Sequence, residues 1–415
     1  MNRLLLILAI LTAVSCRTAS TPSSPSSPSP ELPRVQQLAA RSDVQAALAH
    51  VDQERDRILA EWVTLTEINA PSDHETERAA HVEKLLREIG LDVTRDAAGN
   101  VLAIRKGSGG GPTVAVDAHL DTVFQPGMKI EAKIENGHIH APGVGDNTRN
   151  VAAILAAARA IEAANIRTKG DLIFLFTVAE ETNFRGIDQF LADYKGRVDH
   201  IIALDGGYSG FTYGGIGINW YKFHFIGPGG HTRSSSPPWS ATLPAARAIE
   251  RIYRLRVPGD SNLNIGMMGA ADVVNSKAQE AWFSVDLRST RNEFLDTYEK
   301  KLVAIAEGEA RRAGMRFRNE EISKSRAAFI PGHREGPLVK TAEAVYSVLG
   351  FENPSITPTA SNHASPSLLA GVSAISTGTA PCREGHAVTE HCEIEPIYKG
   401  IKKVILLALA MTDVD

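Results

Sequence analysis

A histidine and an aspartate follow an apolar run in the segment Val-Ala-Val-Asp-Ala-His-Leu-Asp-Thr at residues 114–122. On an extended backbone His119 and Asp121 leave the same face, because side chains alternate with a period of two. The imidazole of His119 can then meet a cation while Asp121 orients the ring. His-x-Asp also occurs by chance, so this motif alone is a weak signal of a metal site.

Carboxylates at later strand ends strengthen the signal. The apolar runs at 172–178 and 201–204 are typical of strands buried on both faces of a mostly parallel sheet. They end in the pair Glu180-Glu181 and in Asp205. Open α/β sheets build their sites outside the carboxyl ends of their strands, so we expect these side chains to lie close together.

The predicted metal site combines two imidazoles with three carboxylates: His119, Asp146, Glu181, Asp205 and His386. This mixture suits zinc or a similar divalent ion. Carboxylates gathered in a cleft need compensating positive charge, and Asp146 is the natural bridge between two ions. Two ions about 3.5–4 Å apart can hold a hydroxide and polarise a carbonyl oxygen.

Such a site needs a proton carrier that is not itself a ligand, and Glu180 fits that role. Neighbours on an extended chain point apart, so we expect Glu180 and Glu181 to lie in a turn. A solvated acidic pair is the more common meaning of Glu-Glu, but this pair directly follows a buried apolar run. The predicted chemistry is hydrolysis of an amide bond, with Glu180 passing a proton from the attacking water to the leaving nitrogen.

The length of 415 residues, 43% of them hydrophobic, is enough for two domains. The apolar patterns predict an α/β fold, with a mixed, mostly parallel sheet and helices on both faces, over residues 35–212 and 328–415. Residues 213–327 alternate like half-exposed strands and predict an inserted α+β two-layer domain. The net charge of −4 does not indicate a nucleic-acid-binding protein.

Residues 1–15 resemble a secretory signal peptide, with an apolar run too short to span a membrane. Residues 13–16, Ala-Val-Ser-Cys, resemble the bacterial lipobox, in which Cys16 carries the lipid. Residues 16–34 are rich in Ser, Thr and Pro and predict an extended tether. An ordinary signal peptide with an incidental Cys16 is the alternative. We expect an exported lipoprotein on the periplasmic or cell-surface side, in contact with a membrane through its lipid only.

Two further pairs leave alternatives open. Cys382 and Cys392 could form a disulfide that closes a loop around His386, or remain two reduced thiols. His138 and His140 lie two apart on a predicted hairpin. Their spacing could bind a metal, although a polar strand face is the more common meaning.

The ordered series of motifs resembles the M20 family of metallopeptidases, the co-catalytic zinc exopeptidases and amidohydrolases, over nearly all of residues 40–415. The resemblance implies two divalent ions, with Zn²⁺ expected and Co²⁺ or Mn²⁺ as alternatives. It assigns one ion to His119, Asp146 and Asp205, and the other to Asp146, Glu181 and His386. It also implies that Asp121 orients His119 and that Glu180 is the general base.

The inserted segment resembles the lid and dimerisation domain of that family. Its Gly-x-x-x-His motif runs from Gly227 to His231, and the resemblance implies that His231 reaches the active site of a partner subunit and stabilises the oxyanion. Asn275 and Arg288 match positions that bind a substrate carboxylate. A strand-end turn for Asn275 and a surface ion pair for Arg288 are the alternatives. A homodimer through this domain is expected from the resemblance alone.

The chain departs from the family pattern at residues 361–365, which are Ser-Asn-His-Ala-Ser where the family has Ser-Thr-Asp-x-Asn. His363 either replaces a polar substrate contact or fills the gap. We expect a peptidase that cleaves small peptides bearing a free carboxylate. An N-acyl-amino-acid deacylase is the alternative, and a non-catalytic surface protein that binds metal or peptide is a remote one.

Overall fold

The computed structural model describes residues 29–270 and 273–415. The predicted signal peptide, Cys16 and most of the tether fall on residues 1–28 and lie outside the described residues. Among the residues that are described, no helix is long and apolar enough to cross a membrane.

The described residues form helices that we number in chain order: α1 (Leu32–Ala39), α2 (Ser42–Gln53), α3 (Arg55–Glu67), α4 (Thr76–Ile89), α5 (Arg149–Ala163), α6 (Arg185–Asp193), α7 (Thr242–Tyr253), α8 (Asn292–Arg312), α9 (Pro337–Val348), α10 (Ala364–Leu369) and α11 (Pro396–Thr412).

The strands are β1 (Val93–Arg95), β2 (Val101–Arg105), β3 (Val114–His119), β4 (Lys133–Glu135), β5 (His138–His140), β6 (Leu172–Thr177), β7 (His200–Ala203), β8 (Gly210–Thr212), β9 (Gly217–Ile226), β10 (Gly230–His231), β11 (Ser261–Asn264), β12 (Met268–Gly269), β13 (Ser276–Lys277), β14 (Glu280–Ser289), β15 (Arg316–Ser325), β16 (Ser355–Thr357), β17 (Ser373–Ser376), β18 (Cys382–Arg383) and β19 (His391–Glu393).

An eight-stranded sheet in the order β1-β2-β6-β3-β7-β17-β8-β16 organises the larger part of the molecule. Its four central strands, β6, β3, β7 and β17, run parallel to one another, whereas β2 and β8 on either side of them are antiparallel. Every residue of β3 and β6 is buried, because helices cover both faces. Val114 and Val116 face the core that includes α5 and α11, whereas Ala115 between them faces α6 and α10. The predicted fold class is confirmed.

A second sheet is antiparallel, in the order β11-β14-β9-β15, with β12 also paired to β14. Residues of β14 alternate between buried and more exposed positions, as expected when helices cover one face only. Helices α7 and α8 pack on this sheet around a core of their own. The chain enters this unit after β8 and rejoins the eight-stranded sheet at β16. The lid and dimerisation roles of residues 213–327 remain predictions.

A small four-stranded sheet has the order β18-β19-β5-β4. Cys382 and Cys392 face each other across β18 and β19 and form a disulfide. The pair therefore adopts the first of the two predicted alternatives, and the bond closes the loop that contains His386.

Candidate active site

The predicted site residues follow three adjacent parallel strands. His119 ends β3 and lies opposite Thr177, the last residue of β6. The neighbour of β3 on its other side is β7, which is followed by Asp205. The three strands run parallel, so the segments that follow them lie at one edge of the sheet. Because β3 lies between β6 and β7, Glu180 and Asp205 lie on either side of His119.

Asp121 holds the turn that contains the two glutamates. Its Oδ1 accepts a hydrogen bond from the main-chain N–H of Glu180 (3.0 Å) and its Oδ2 accepts one from Glu181 (3.0 Å). Ser72 donates to the same carboxylate at 2.7 Å. The Nδ1 atom of His119 lies 3.4 Å from Asp121 Oδ1 and 3.1 Å from its carbonyl oxygen. Asp121 therefore positions both the histidine and the glutamates.

Asp146 lies between two imidazoles and presents one carboxylate oxygen to each. Its Oδ1 is 3.0 Å from Nε2 of His119, and its Oδ2 is 3.1 Å from Nε2 of His386. Oε2 of Glu181 is 3.3 Å from the same His386 nitrogen. One ligand atom from each of His119, Asp146 and Glu181 lies within 4.8 Å of the others. These three residues could hold a metal ion.

The carboxylates of the cluster and one oxygen without a hydrogen-bond partner suit the binding of divalent cations. Oε1 of Glu181 is buried without a hydrogen-bond partner, although a buried carboxylate oxygen normally has one. Burial raises the pKa of Glu181 to about 7. Burial also opposes ionisation of Asp146, but the hydrogen bonds from His119 and His386 hold the pKa of Asp146 far below its ordinary value. Imidazole and carboxylate ligands are those that zinc and related ions take.

Asp205 and Glu180 line a cavity together with Asp146, Glu181 and His386. Their carboxylates make no hydrogen bond to His119 or His386. The Asp205 carboxylate accepts a hydrogen bond from the Gly206 N–H (2.5 Å), and burial together with the charge of Asp146 raises its pKa. Burial, followed by the charges of Asp205 and Glu181, raises the pKa of Glu180 well above its ordinary value. A carboxyl with a raised pKa is suited to proton transfer near neutral pH.

The cavity has a volume of about 490 Å³ and continues from these residues onto a hydroxyl-rich wall. That wall includes Ser209, Thr212, Thr357, Thr359, Ser361, Asn362 and Ser376. No Lys or Arg lines this cavity in the part of the chain that the structure describes. The size is that of a pocket for a small molecule or a short peptide.

Glu390 supports the site, a role that the sequence analysis did not predict. Its carboxylate accepts hydrogen bonds from the main-chain N–H groups of Gly143, Gly145 and Asp146 at 2.8, 2.9 and 2.8 Å. Glu390 follows His386 by four residues inside the disulfide-closed loop, so one hairpin supplies a candidate ligand and also fixes the loop that carries Asp146.

His363 lies under the site and not in the cavity. It is 2% exposed, and its Nδ1 is 2.6 Å from Oδ2 of Asp117 on β3. Thr177 donates to the other oxygen of Asp117 at 2.9 Å. The His363 ring makes edge contacts with the rings of His119 and Phe184. Of the two predicted alternatives, His363 therefore fills the gap left by the missing family motif and pairs with a buried Asp.

The other three predicted residues lie in the inserted segment. His231 is exposed on β10, paired with Ser276 of β13, and the main chain of Asn275 accepts a hydrogen bond from Thr232. His231 and Asn275 are therefore neighbours. Arg288 donates to Asp286 at 2.9 Å, which is the ion pair named as its alternative role. None of the three lines the described cavity.

A comparison with protein-family models identifies the family of this chain. The family model of peptidase family M20/M25/M40 matches residues 115–410, well over half of the chain. The uncharacterised protein YqjE of Bacillus subtilis is 25% identical over 284 residues, which cover 63% of this chain and 73% of YqjE.

Two solved structures share the fold. A tripeptidase from Staphylococcus aureus superposes with a TM-score of 0.79 at 21% identity, over 86% of this chain and 99% of its own. A dinuclear metal-binding M20 peptidase of Bacillus subtilis superposes with a TM-score of 0.68 at 17% identity, over 87% and 99%. The chain belongs to peptidase family M20/M25/M40 and is a hydrolase of that family.

Proposed function

We propose that this chain is a two-metal peptidase that cleaves an amide bond in small peptides bearing a free carboxylate. The observation that carries the proposal is the position of Asp146, which offers one oxygen toward His119 and the other toward His386. Glu181 lies beside them with an unpartnered buried oxygen. Two cations can share Asp146 in this arrangement, and Glu180 remains free for proton transfer.

The proposed ligands are His119, Asp146 and Asp205 for one ion and Asp146, Glu181 and His386 for the other. When bound, the two ions would acidify a water molecule and polarise the scissile carbonyl. Glu180 accepts the proton of the attacking water and delivers it to the leaving nitrogen. Asp121 fixes the position of Glu180 through the Glu180 N–H. This contact holds the main chain of Glu180 at the edge of the cavity that Glu180 lines.

The substrate class is inferred from the cavity. Its volume of about 490 Å³ fits a short peptide, and the hydroxyl-rich wall can bond to main-chain groups. Because no Lys or Arg lines the cavity among the described residues, a substrate carboxylate that pairs with such a residue needs one from elsewhere. We assign this role to Arg288 and Asn275, and oxyanion stabilisation to His231, from the inserted segment of this subunit or of a partner in a homodimer.

We also propose that the protein is exported and held at a membrane by a lipid on Cys16. The apolar segment before Cys16 and the tether after it support this location. The disulfide between Cys382 and Cys392 is an independent argument, since disulfides persist in oxidising compartments outside the cytosol. Membrane fractionation of wild type and Cys16→Ala tests this part, because only the wild type should partition with membranes.

A substrate panel tests the proposed reaction. The purified chain is assayed on dipeptides, tripeptides and N-acyl amino acids, before and after chelation, with Zn²⁺, Co²⁺ or Mn²⁺ added back. The proposal predicts peptide cleavage that chelation abolishes and a metal restores. Cleavage of N-acyl amino acids only would show a deacylase, and metal binding without turnover of any amide would favour a binding protein.

A further inference from the structure

Three histidines share one face of the four-stranded sheet, and none of them is among the residues assigned above. His138 and His140 lie two apart on β5, so both side chains leave the same face. His391 of β19 is directly opposite His140, and Glu393 is directly opposite His138. We call His138, His140, His391 and Glu393 the histidine face.

The ring positions on this face suit a single bound ion. The ring centre of His140 lies 5.1 Å from that of His391, and the ring centre of His138 lies 6.1 and 6.0 Å from these two. A zinc ion about 2 Å from one nitrogen of each of three imidazoles holds the ring centres roughly 5 Å apart. The ring centres therefore lie close to the spacing that one shared ion requires, and small rotations of these partly exposed side chains would complete the set.

Hydrogen bonds prepare two of the rings for metal binding. Nδ1 of His138 is 3.0 Å from the carbonyl oxygen of Asn136, and Nδ1 of His391 is 3.1 Å from that of Thr389. A carbonyl oxygen can only accept, so each Nδ1 donates this hydrogen bond, and Nε2 is the nitrogen that a metal would take. This Nδ1–H to carbonyl contact is the one that usually orients a metal-bound histidine.

The charged neighbours on the same sheet face do not prevent a cation from binding there. Lys133 and Arg383 stand at the two ends of the row that contains His140 and His391. Both are exposed, and their long side chains can extend into solvent. Glu135 and Glu393 flank His138 in the adjacent row and add carboxylates where a cation would sit.

We propose that the histidine face binds one ion of the zinc class (Zn²⁺, Ni²⁺ or Cu²⁺), separate from the ions at Asp146. The ligands are His138, His140 and His391, with Glu393 as the fourth. Strand β5 leads directly into the loop of Asp146, and β19 directly follows the loop of His386. An ion on this face therefore links the two segments that carry these candidate ligands and restrains both.

Metal counting tests the proposal without reference to activity. The full chain is stripped of metal and equilibrated with buffered Zn²⁺, and bound zinc is measured by mass spectrometry. We expect His140→Ala/His391→Ala to bind one zinc ion fewer per chain than wild type. His81→Ala, a partly exposed histidine on α4, is the matched control and should bind as much as wild type.

A second background shows where the extra ion resides. In Asp146→Asn, which impairs the other site, one zinc ion should remain, and the added double substitution should remove it. Cu²⁺ in this background should give an electron paramagnetic resonance spectrum with nitrogen ligands that the double substitution abolishes. Should the double variant fold poorly, His391→Gln takes its place. Equal zinc counts with and without the histidines would overturn the proposal.

Discussion

Two regions of the molecule carry predicted site residues, and they differ in how far the structure brings those residues together. At the edge of the eight-stranded sheet, His119 contacts Asp146, Asp146 contacts His386, and His386 contacts Glu181, each at 3.0–3.3 Å. In the inserted segment, His231 and Asn275 are exposed and Arg288 is engaged with Asp286. The first region is brought together within one chain, whereas the residues of the second do not line the described cavity.

The difference follows from topology. Parallel neighbours must end at the same edge of a sheet, so residues that follow β3, β6 and β7 meet wherever loops are short. In an antiparallel sheet the carboxyl ends of neighbouring strands lie at opposite edges. Residues such as Arg288 within β14 and His231 on β10 are therefore not gathered at one edge. We therefore expect substitutions at the sheet edge to have large effects and substitutions in the inserted segment to have small ones.

Asp146→Asn should have the largest effect. The amide keeps the shape of the side chain but removes the charge that both imidazoles face. We expect loss of both active-site metal ions and a fall in kcat/KM of at least about 10³-fold. Metal content and turnover of a peptide substrate measure this, with Asp193→Asn, an exposed aspartate at the end of α6, as the control. Normal metal binding by Asp146→Asn would contradict the bridging role.

Asp117→Ala tests the buried support of the site. The substitution removes the nearer hydrogen-bond partner of the buried His363, and leaving a buried polar group without its partner costs about 1–3 kcal/mol of unfolding free energy. The exposed pair of Asp260 and Arg291 in the inserted segment is the matched control, and Asp260→Ala should cost no more than about 1 kcal/mol. Chemical denaturation of both variants measures the contrast. Equal costs would show that the Asp117–His363 contact contributes little.

Metal binding should release protons. The hydrogen bond to Asp146 raises the pKa of His386 to about 9 in the metal-free chain, so the ring is protonated near neutral pH. A protonated imidazole cannot bind a metal, so affinity should rise with pH up to that pKa, about tenfold per unit for each proton displaced. Calorimetry in buffers of different ionisation enthalpy counts the protons. His231→Gln should leave the count unchanged, and a count of zero for wild type would contradict the assignment of His386.

Arg288→Ala should have the smallest effect. If its guanidinium binds the substrate carboxylate, KM should rise by up to about tenfold while kcat stays near the wild-type value. Steady-state kinetics on a peptide and on its C-terminal amide measure the change, which should be confined to the free acid. Asp286→Asn, which frees Arg288 from its ion pair, is the comparison. An equal loss on both substrates would show that Arg288 supports only the fold of the segment.

Sequence patterns predicted the strand ends because a strand that is buried on both faces is itself a run of apolar residues. The apolar runs before His119, Glu180 and Asp205 predicted a common sheet edge without any knowledge of the loops. The contacts that refine the site are not local: Asp117 and His363 are separated by 246 residues, and Glu390 reaches a main chain 244 residues away. Such pairs depend on the finished fold, so no spacing in the sequence indicates them.

The most direct test of the two-metal hydrolase is the Glu180→Gln variant, with metal content and turnover measured on the same preparation. Glutamine keeps the side-chain length and leaves the hydrogen bond from the residue's N–H to Asp121 available, but it cannot accept the proton of the attacking water. We expect the wild-type number of bound metal ions together with a fall in kcat of about 10²–10⁴-fold. Retention of wild-type kcat with the metals in place would contradict the account.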